Sequence, residues 1–200
     1  MGKRIFDLAG AVILLLLVLP ILSMSMLAIW LRLGRPVLFR QARSGLRGRP
    51  FTIWKLRTIM EERDASGNLR PAPERLVRLG QFLRASSIDE LPQLWNVICG
   101  DMSLVGPRPL LPKYFPLYSA RQARRHEVKP GLTGWAQVQG RNTLDWEHRL
   151  EFDVWYVENR SFALDLRILL LTLATVVRRR DMASASGRGI EEFQGTRPAP

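Results

Sequence analysis

The chain has 200 residues, 46% of them hydrophobic, and 30 lysines and arginines against 18 aspartates and glutamates give it a formal net charge of +12. This length and composition allow one domain to bury a core without metals, and the single cysteine excludes an intramolecular disulfide. The basic excess predicts attraction to a polyanion: nucleic acid, anionic lipid or a phosphate-rich small molecule.

The N-terminal segment contains an uncharged run from Leu8 to Leu31, which is long enough to cross a bilayer as a helix. Pro20 lies at its middle and predicts a kink. Basic residues flank the run on both sides, and cationic flanks prefer the cytoplasmic face. We therefore expect residues 1–35 to form a re-entrant helix that bends near Pro20, rather than a simple span or a cleaved signal peptide.

Residues 37–59 predict two short strands around a turn at 44–50. A period of two places Lys55 and Arg57 on one face, where two cations could hold a phosphate. A solvated strand face is the alternative, and spacing alone favours it. Residues 60–74 are polar and predict a surface loop.

The stretch SSIDELPQLWNVICGDMSLVGPRP places Asp89 and Glu90 at the predicted start of a helix. A capping box between Ser87 and Glu90 would explain the pair structurally, although Pro92 fits it imperfectly. An exposed, ionised aspartate at such a position can also act as a nucleophile.

Three arginines in nearby segments are candidates to lie beside this acidic pair. Arg84 precedes it closely, Arg108 is fixed between two prolines, and Arg141 ends the glycine-rich stretch KPGLTGWAQVQGRN. An ordinary tight turn is the alternative for that stretch, in which residues 135–138 predict a short strand. Because guanidinium groups match phosphate oxygens, these arginines could surround one anion beside Asp89, which suggests phosphoryl transfer.

The C-terminal third predicts two helices and a tail. Asp145 is the predicted cap of the first helix. The apolar residues of this helix are predicted to face the core and to have no catalytic role: Trp146, Leu150, Val154 and Val157. The apolar residues 168–177 are too few to span a bilayer and indicate a core or interfacial helix. Residues 184–200 are small and polar and predict a flexible tail.

The central stretch, together with WKLRTI and KPGLTGWAQVQGRN, resembles the bacterial sugar transferase family, the small monotopic polyprenyl-phosphate phosphoglycosyl transferases. The resemblance implies a mostly helical α+β fold with a short β-hairpin. It implies a re-entrant helix in 1–35, a cytoplasmic catalytic domain with interfacial helices in 36–183, and a tail in 184–200. The expected location is the cytoplasmic face of the bacterial inner membrane.

The resemblance also implies a reaction: transfer of a sugar 1-phosphate from a UDP-sugar to polyprenyl (undecaprenyl) phosphate, with release of UMP. It is the first membrane step of glycan assembly, so downstream glycosyltransferases are expected partners. Asp89 would form a covalent phosphosugar intermediate in a ping-pong mechanism assisted by Mg²⁺, and Glu90 would prepare the lipid phosphate. The basic residues of the family would hold the diphosphate; they match Lys55, Arg84, Arg108 and Arg141.

This sequence departs from many relatives at the membrane break, where Leu19 precedes Pro20 in place of a serine. The kink is still expected. A non-catalytic adaptor at the membrane surface, with the acidic pair as a helix cap, is the alternative function. A nucleic-acid binder ranks last, because the arginines are scattered and no nucleic-acid module accompanies them.

Overall fold

The computed structural model describes residues 2–64, 66–71, 73–140, 144–178 and 192–195. The described chain is mostly helical with a small sheet region, as predicted. Its helices and strands, in chain order, are α1 (Gly2–Leu33), β1 (Leu38–Ser44), β2 (Pro50–Leu56), α2 (Arg78–Ala85), α3 (Gln93–Cys99), β3 (Ser103–Val105), α4 (Ala120–Ala123), β4 (Gly131–Thr133), α5 (Trp135–Gln139), α6 (Trp146–Asn159) and α7 (Phe162–Arg178). Short 3₁₀ turns cover Leu46–Gly48, Ile88–Glu90, Pro112–Leu117 and Arg124–Glu127.

Helix α1 contains 32 residues, which corresponds to about 48 Å, and it continues through Pro20. One face packs on the rest of the protein through residues spaced three or four apart, among them Ala11, Leu22 and Ile29. The opposite face exposes large apolar side chains along its length. Its length and hydropathy suit a membrane helix, so membrane association is consistent with the structure.

Both ends of α1 are tied to the same folded unit. Near its start, the Arg4 guanidinium donates to the carbonyl oxygen of Val97 in α3 (2.6 Å). Beyond its end, Arg57 donates to the carbonyl oxygens of Leu33 and Gly34. Both interpretations of this strand face are wrong for Arg57: it does not join Lys55 in holding a phosphate, and it does not lie on the solvated face that spacing favoured. Its guanidinium is buried and caps the end of α1.

The predicted hairpin is confirmed. Strands β1 and β2 pair antiparallel, with Phe39 opposite Lys55 and Arg43 opposite Phe51. Each opposed pair places its side chains on the same face, and this register decides which residues of β1 can reach the site described below.

A second small sheet pairs β3 with β4 in parallel, and the prediction of a strand at 135–138 is wrong. Those residues begin α5, and the strand lies just before them. The two backbones approach so closely that a Cβ on Gly131 would lie 2.1 Å from the backbone nitrogen of Gly106. An alternating four-residue pattern is too short to separate a strand from one helical turn.

Helices α6 and α7 complete the core. Asp145 accepts a hydrogen bond from the backbone N–H of His148 (2.8 Å), which confirms the predicted cap of α6. Leu150, Val154 and Val157 are buried as predicted, and Trp146 is partly buried against the cluster that contains Leu150.

Helix α7 has two faces. Ile168 is fully buried in the main core, whereas Leu170 and Leu173 are 69% and 62% exposed. This apolar outer face resembles that of α1. Of the predicted tail, the structure describes only residues 192–195. There the Phe193 ring packs against three aromatic side chains, Tyr114, Tyr118 and Trp146.

Candidate active site

The acidic pair lies in the 3₁₀ turn Ile88–Glu90, between α2 and α3. Ser87 adopts a left-handed conformation (φ 57°) and its side chain makes no capping hydrogen bond, so the capping-box alternative is wrong. Pro92 is the residue that precedes α3. In this turn, the adjacent carboxylates of Asp89 and Glu90 point into different surroundings.

Glu90 is bound by two cations. Its Oε1 accepts hydrogen bonds from Lys55 Nζ and from Arg108 Nη2, each at 2.6 Å. Burial acts to raise the pKa of Glu90, but the charges and hydrogen bonds of Arg108 and Lys55 outweigh it and hold the pKa well below its usual range. Glu90 is therefore ionised and orients both cations.

Asp89 is buried, with 8% of its surface exposed, and accepts no hydrogen bond from the described part of the chain. Burial, followed by the negative charge of Glu90, raises the pKa of Asp89 to about 6, against the attraction of Lys55, Arg84 and Arg108. The described cations thus lie around this carboxylate without donating to its oxygens. Such a group is more basic than an ordinary aspartate and keeps its lone pairs for a ligand.

Arg84 lies in the last turn of α2, and the expected proximity to Asp89 is confirmed by its electrostatic effect on that carboxylate. Its Nε donates to Thr58 Oγ1 (2.9 Å). Among the described residues, no acceptor binds its two terminal nitrogens. They remain able to bind a phosphate oxygen.

Arg43 belongs to the same basic cluster, although sequence reasoning missed it. It follows Phe39 by four residues in β1 and so shares a strand face with the Phe39–Lys55 pair. Burial and the charge of Arg108 lower the pKa of Arg43 to about 10. The sequence signal for Arg43 is the alternation of side chains along β1, once the hairpin pairs Phe39 with Lys55.

A second missed feature is the ion pair between Arg125 and Asp153. Their side chains are each 1% exposed and lie 2.7 Å apart. Arg125 also donates to the backbone carbonyl oxygen of Arg108 (2.6 Å). The pair therefore positions the backbone from which the Arg108 guanidinium reaches Glu90.

The structure thus brings together five predicted site residues, Asp89, Glu90, Lys55, Arg84 and Arg108. Arg141 lies outside the described residues. Pro20 lies within α1.

The described residues include no cluster of three or more histidine, cysteine, aspartate or glutamate side chains arranged to hold a metal. Mg²⁺ commonly uses one or two protein carboxylates and completes its coordination with water and substrate phosphates. The carboxylate of Asp89, which accepts no hydrogen bond from the described residues, fits that kind of site. Glu90 fits it less well, because its oxygens already bind Lys55 and Arg108.

The family model described as bacterial sugar transferase matches residues 1–179. The chain belongs to the bacterial sugar transferase family. Relatives in the same family include the sugar transferase EpsL of Bacillus subtilis, which has no characterised activity and is 52% identical over 97% of this chain and 96% of its own length.

Two further relatives of this bacterial sugar transferase are UDP-glucose:undecaprenyl-phosphate glucose-1-phosphate transferases. The Caulobacter vibrioides protein is 43% identical over 88% of this chain and 69% of its own length. The Escherichia coli protein is 41% identical over 86% of this chain but only 39% of its own length. This chain therefore corresponds to part of the larger relatives and to nearly all of the Bacillus protein.

Proposed function

We propose that this transferase moves a sugar 1-phosphate from a UDP-sugar to undecaprenyl phosphate and releases UMP. The names of the Caulobacter and Escherichia relatives support the reaction. The observation that carries it is the buried carboxylate of Asp89, which lies beside Lys55, Arg84 and Arg108 and accepts no hydrogen bond from the described residues. A reactive oxygen surrounded by cations suits attack on a phosphate that carries negative charge.

In the first step, an Asp89 carboxylate oxygen attacks the phosphorus that bears the sugar. The bond from that phosphorus to the bridging oxygen breaks, and UMP leaves with the electron pair. Arg84, Arg108 and Lys55 neutralise the charge that builds up on the phosphate oxygens. The product is an aspartyl phosphosugar.

In the second step, an oxygen of the lipid phosphate attacks the same phosphorus and Asp89 leaves as a carboxylate. This forms the lipid diphosphate sugar and restores the enzyme. Because the two substrates react in turn, a water-soluble donor and a membrane-bound acceptor need not be bound together. Ping-pong kinetics follow from this order.

Glu90 has a separate role. A group with so low a pKa is a weak general base, so its contacts favour holding Lys55 and Arg108 in position over removing a proton. This orientation of cations is how Glu90 would prepare a site for the lipid phosphate.

Mg²⁺ is the expected cofactor, with Asp89 as its protein ligand. When bound at Asp89, the ion would neutralise part of the diphosphate charge. The protein residues supply the nucleophile and the cationic contacts described above.

For the membrane arrangement, we propose a re-entrant helix in 1–35, a cytoplasmic catalytic domain in 36–183 and a tail in 184–200. Arg4 and Arg57 tie the two ends of α1 to one folded unit, which favours both ends on the same side of the bilayer. Basic residues at both ends favour the cytoplasmic side.

The test is UMP release by the purified protein in nanodiscs with Mg²⁺, undecaprenyl phosphate and a panel of UDP-sugars. We expect one or more donors to release UMP with wild type, and Asp89→Asn to lower the rate at least a thousandfold. Asp101→Asn is the matched control, because it makes the same change at an exposed carboxylate of the same segment. Normal turnover by Asp89→Asn would contradict the role of Asp89 as nucleophile. Lipid binding by wild type without UMP release from any donor would favour the adaptor alternative.

A further inference from the structure

An apolar groove of about 850 Å³ lies between α1 and the start of β1. Met26, Val37 and Phe39 contribute apolar wall. The charged lining is positive on balance, with three arginines and one carboxylate: Arg35, Arg40, Arg57 and Glu61. The combination of apolar wall and cations suits a molecule with a hydrocarbon chain and an anionic head.

The groove adjoins the apolar outer face of α1. Met26 lines the groove, whereas its neighbours Met24 and Leu27 are 72% and 53% exposed on the apolar outer face of α1. A hydrocarbon chain could therefore pass from the bilayer into the groove without crossing water.

The groove also adjoins the candidate active site. Phe39 is 41% exposed and lies opposite Lys55 in the hairpin, so the two side chains share a face with their Cβ atoms about 5 Å apart. The Lys55 ammonium in turn binds Glu90, the neighbour of Asp89. Phe39 thus belongs both to the lining of the groove and to the strand face that carries Lys55.

We propose that this groove binds the first isoprene units of the polyprenyl phosphate acceptor and delivers its phosphate to Lys55. The inference rests on the proposed function and names the residues that select the acceptor. Phe39 is the specificity-determining residue: its ring contacts the prenyl chain, while the cationic end of the groove faces the phosphate.

The kinetic test compares Phe39→Ser with Phe82→Ser. Phe82 is 58% exposed on α2 and controls for loss of an exposed aromatic ring elsewhere. We expect Phe39→Ser to raise the KM for undecaprenyl phosphate about tenfold or more, with the donor KM and the UMP burst without acceptor unchanged. Phe82→Ser should alter neither. An unchanged acceptor KM, or an equal loss in the donor burst, would overturn the proposal.

A binding test decides the inference even if no donor supports turnover. A polyprenyl phosphate with a photoreactive group in its first isoprene units is irradiated with the protein in nanodiscs, and labelled peptides are mapped by mass spectrometry. We expect label on the peptide containing Phe39 in wild type and several-fold less in Phe39→Ser. Absence of label there, or equal labelling by a photoreactive phosphatidylglycerol, would show that the groove does not select the acceptor.

Discussion

Two buried aspartates, Asp7 at the base of α1 and Asp89 in the candidate site, differ in their hydrogen bonds. Asp7 is 4% exposed and accepts from Ser103 Oγ (2.8 Å) and from the backbone N–H of Leu104 (3.1 Å). Asp89 is 8% exposed and accepts from no donor within the described chain. The first carboxylate stabilises the fold, and the second is left to bind or react.

The surroundings of the two groups show the same contrast. At the base of α1, Asp165 accepts from Lys3 Nζ (2.6 Å) and from the Tyr156 hydroxyl (2.7 Å), which joins α1, α6 and α7 through satisfied partners. Around Asp89, cations outnumber the carboxylates and come from β1, β2, α2 and the loop after β3. That excess of positive charge suits the diphosphate of the proposed donor.

The sharpest test of this contrast is the stability of Asp89→Asn in magnesium-free buffer. The pKa of Asp89 is about 6 in the folded protein against 3.8 ordinarily, so protonation favours folding. The contribution of the protonated carboxyl to the free energy of unfolding is complete below about pH 4 and is lost as the pH rises through 6. We expect the variant to be more stable than wild type by up to about 3 kcal/mol at pH 7.5.

Denaturant unfolding in detergent at pH 7.5 and pH 4 measures this difference. It should be large at the higher pH and vanish at the lower. A variant that is less stable at pH 7.5 would contradict the description of Asp89 as an unsatisfied charge.

The next largest effect concerns Arg108. Arg108→Ala should lower kcat/KM for the UDP-sugar about a hundredfold, because one cationic contact to the reacting phosphate is lost. Arg124→Ala is the matched control: the two side chains are each 40% exposed and bound to a glutamate at 2.6 Å. An exposed ion pair of that kind contributes little, so equal losses in the two variants would contradict a special role for Arg108.

The smallest effect on activity is expected at Asp7. Asp7→Asn replaces one of the two carboxylate oxygens that accept from Ser103 and Leu104 with an amide nitrogen, which cannot accept. We expect a loss of about 1–3 kcal/mol in the free energy of unfolding. The kcat of the protein that remains folded should stay within about twofold of wild type. A large fall in kcat with unchanged stability would mean that the base of α1 acts on the chemistry.

The sequence predicted those parts that depend on neighbouring residues or on a specific motif. Strand alternation around a turn gave the hairpin, and the Asp145 cap gave the start of α6. The residues Asp89 and Glu90 were recognised through the family motif, together with their cations.

The remaining features depend on contacts between distant segments. The Arg125–Asp153 pair joins residues 28 positions apart, and no local pattern signals it. Arg43 required the hairpin register as well as alternation. The different ionisation of Asp89 and Glu90 arises from which carboxylate Lys55 and Arg108 reach, which adjacency in the sequence does not specify.

The most direct measurement is the intact mass of the protein after incubation with Mg²⁺ and an active UDP-sugar in the absence of acceptor, followed by peptide mapping. The account predicts a mass increase equal to one phosphosugar on the peptide that contains Asp89, lost when undecaprenyl phosphate is added and absent from Asp89→Asn. Turnover with acceptor but no adduct on that peptide, under conditions that release UMP, would contradict the covalent role of Asp89.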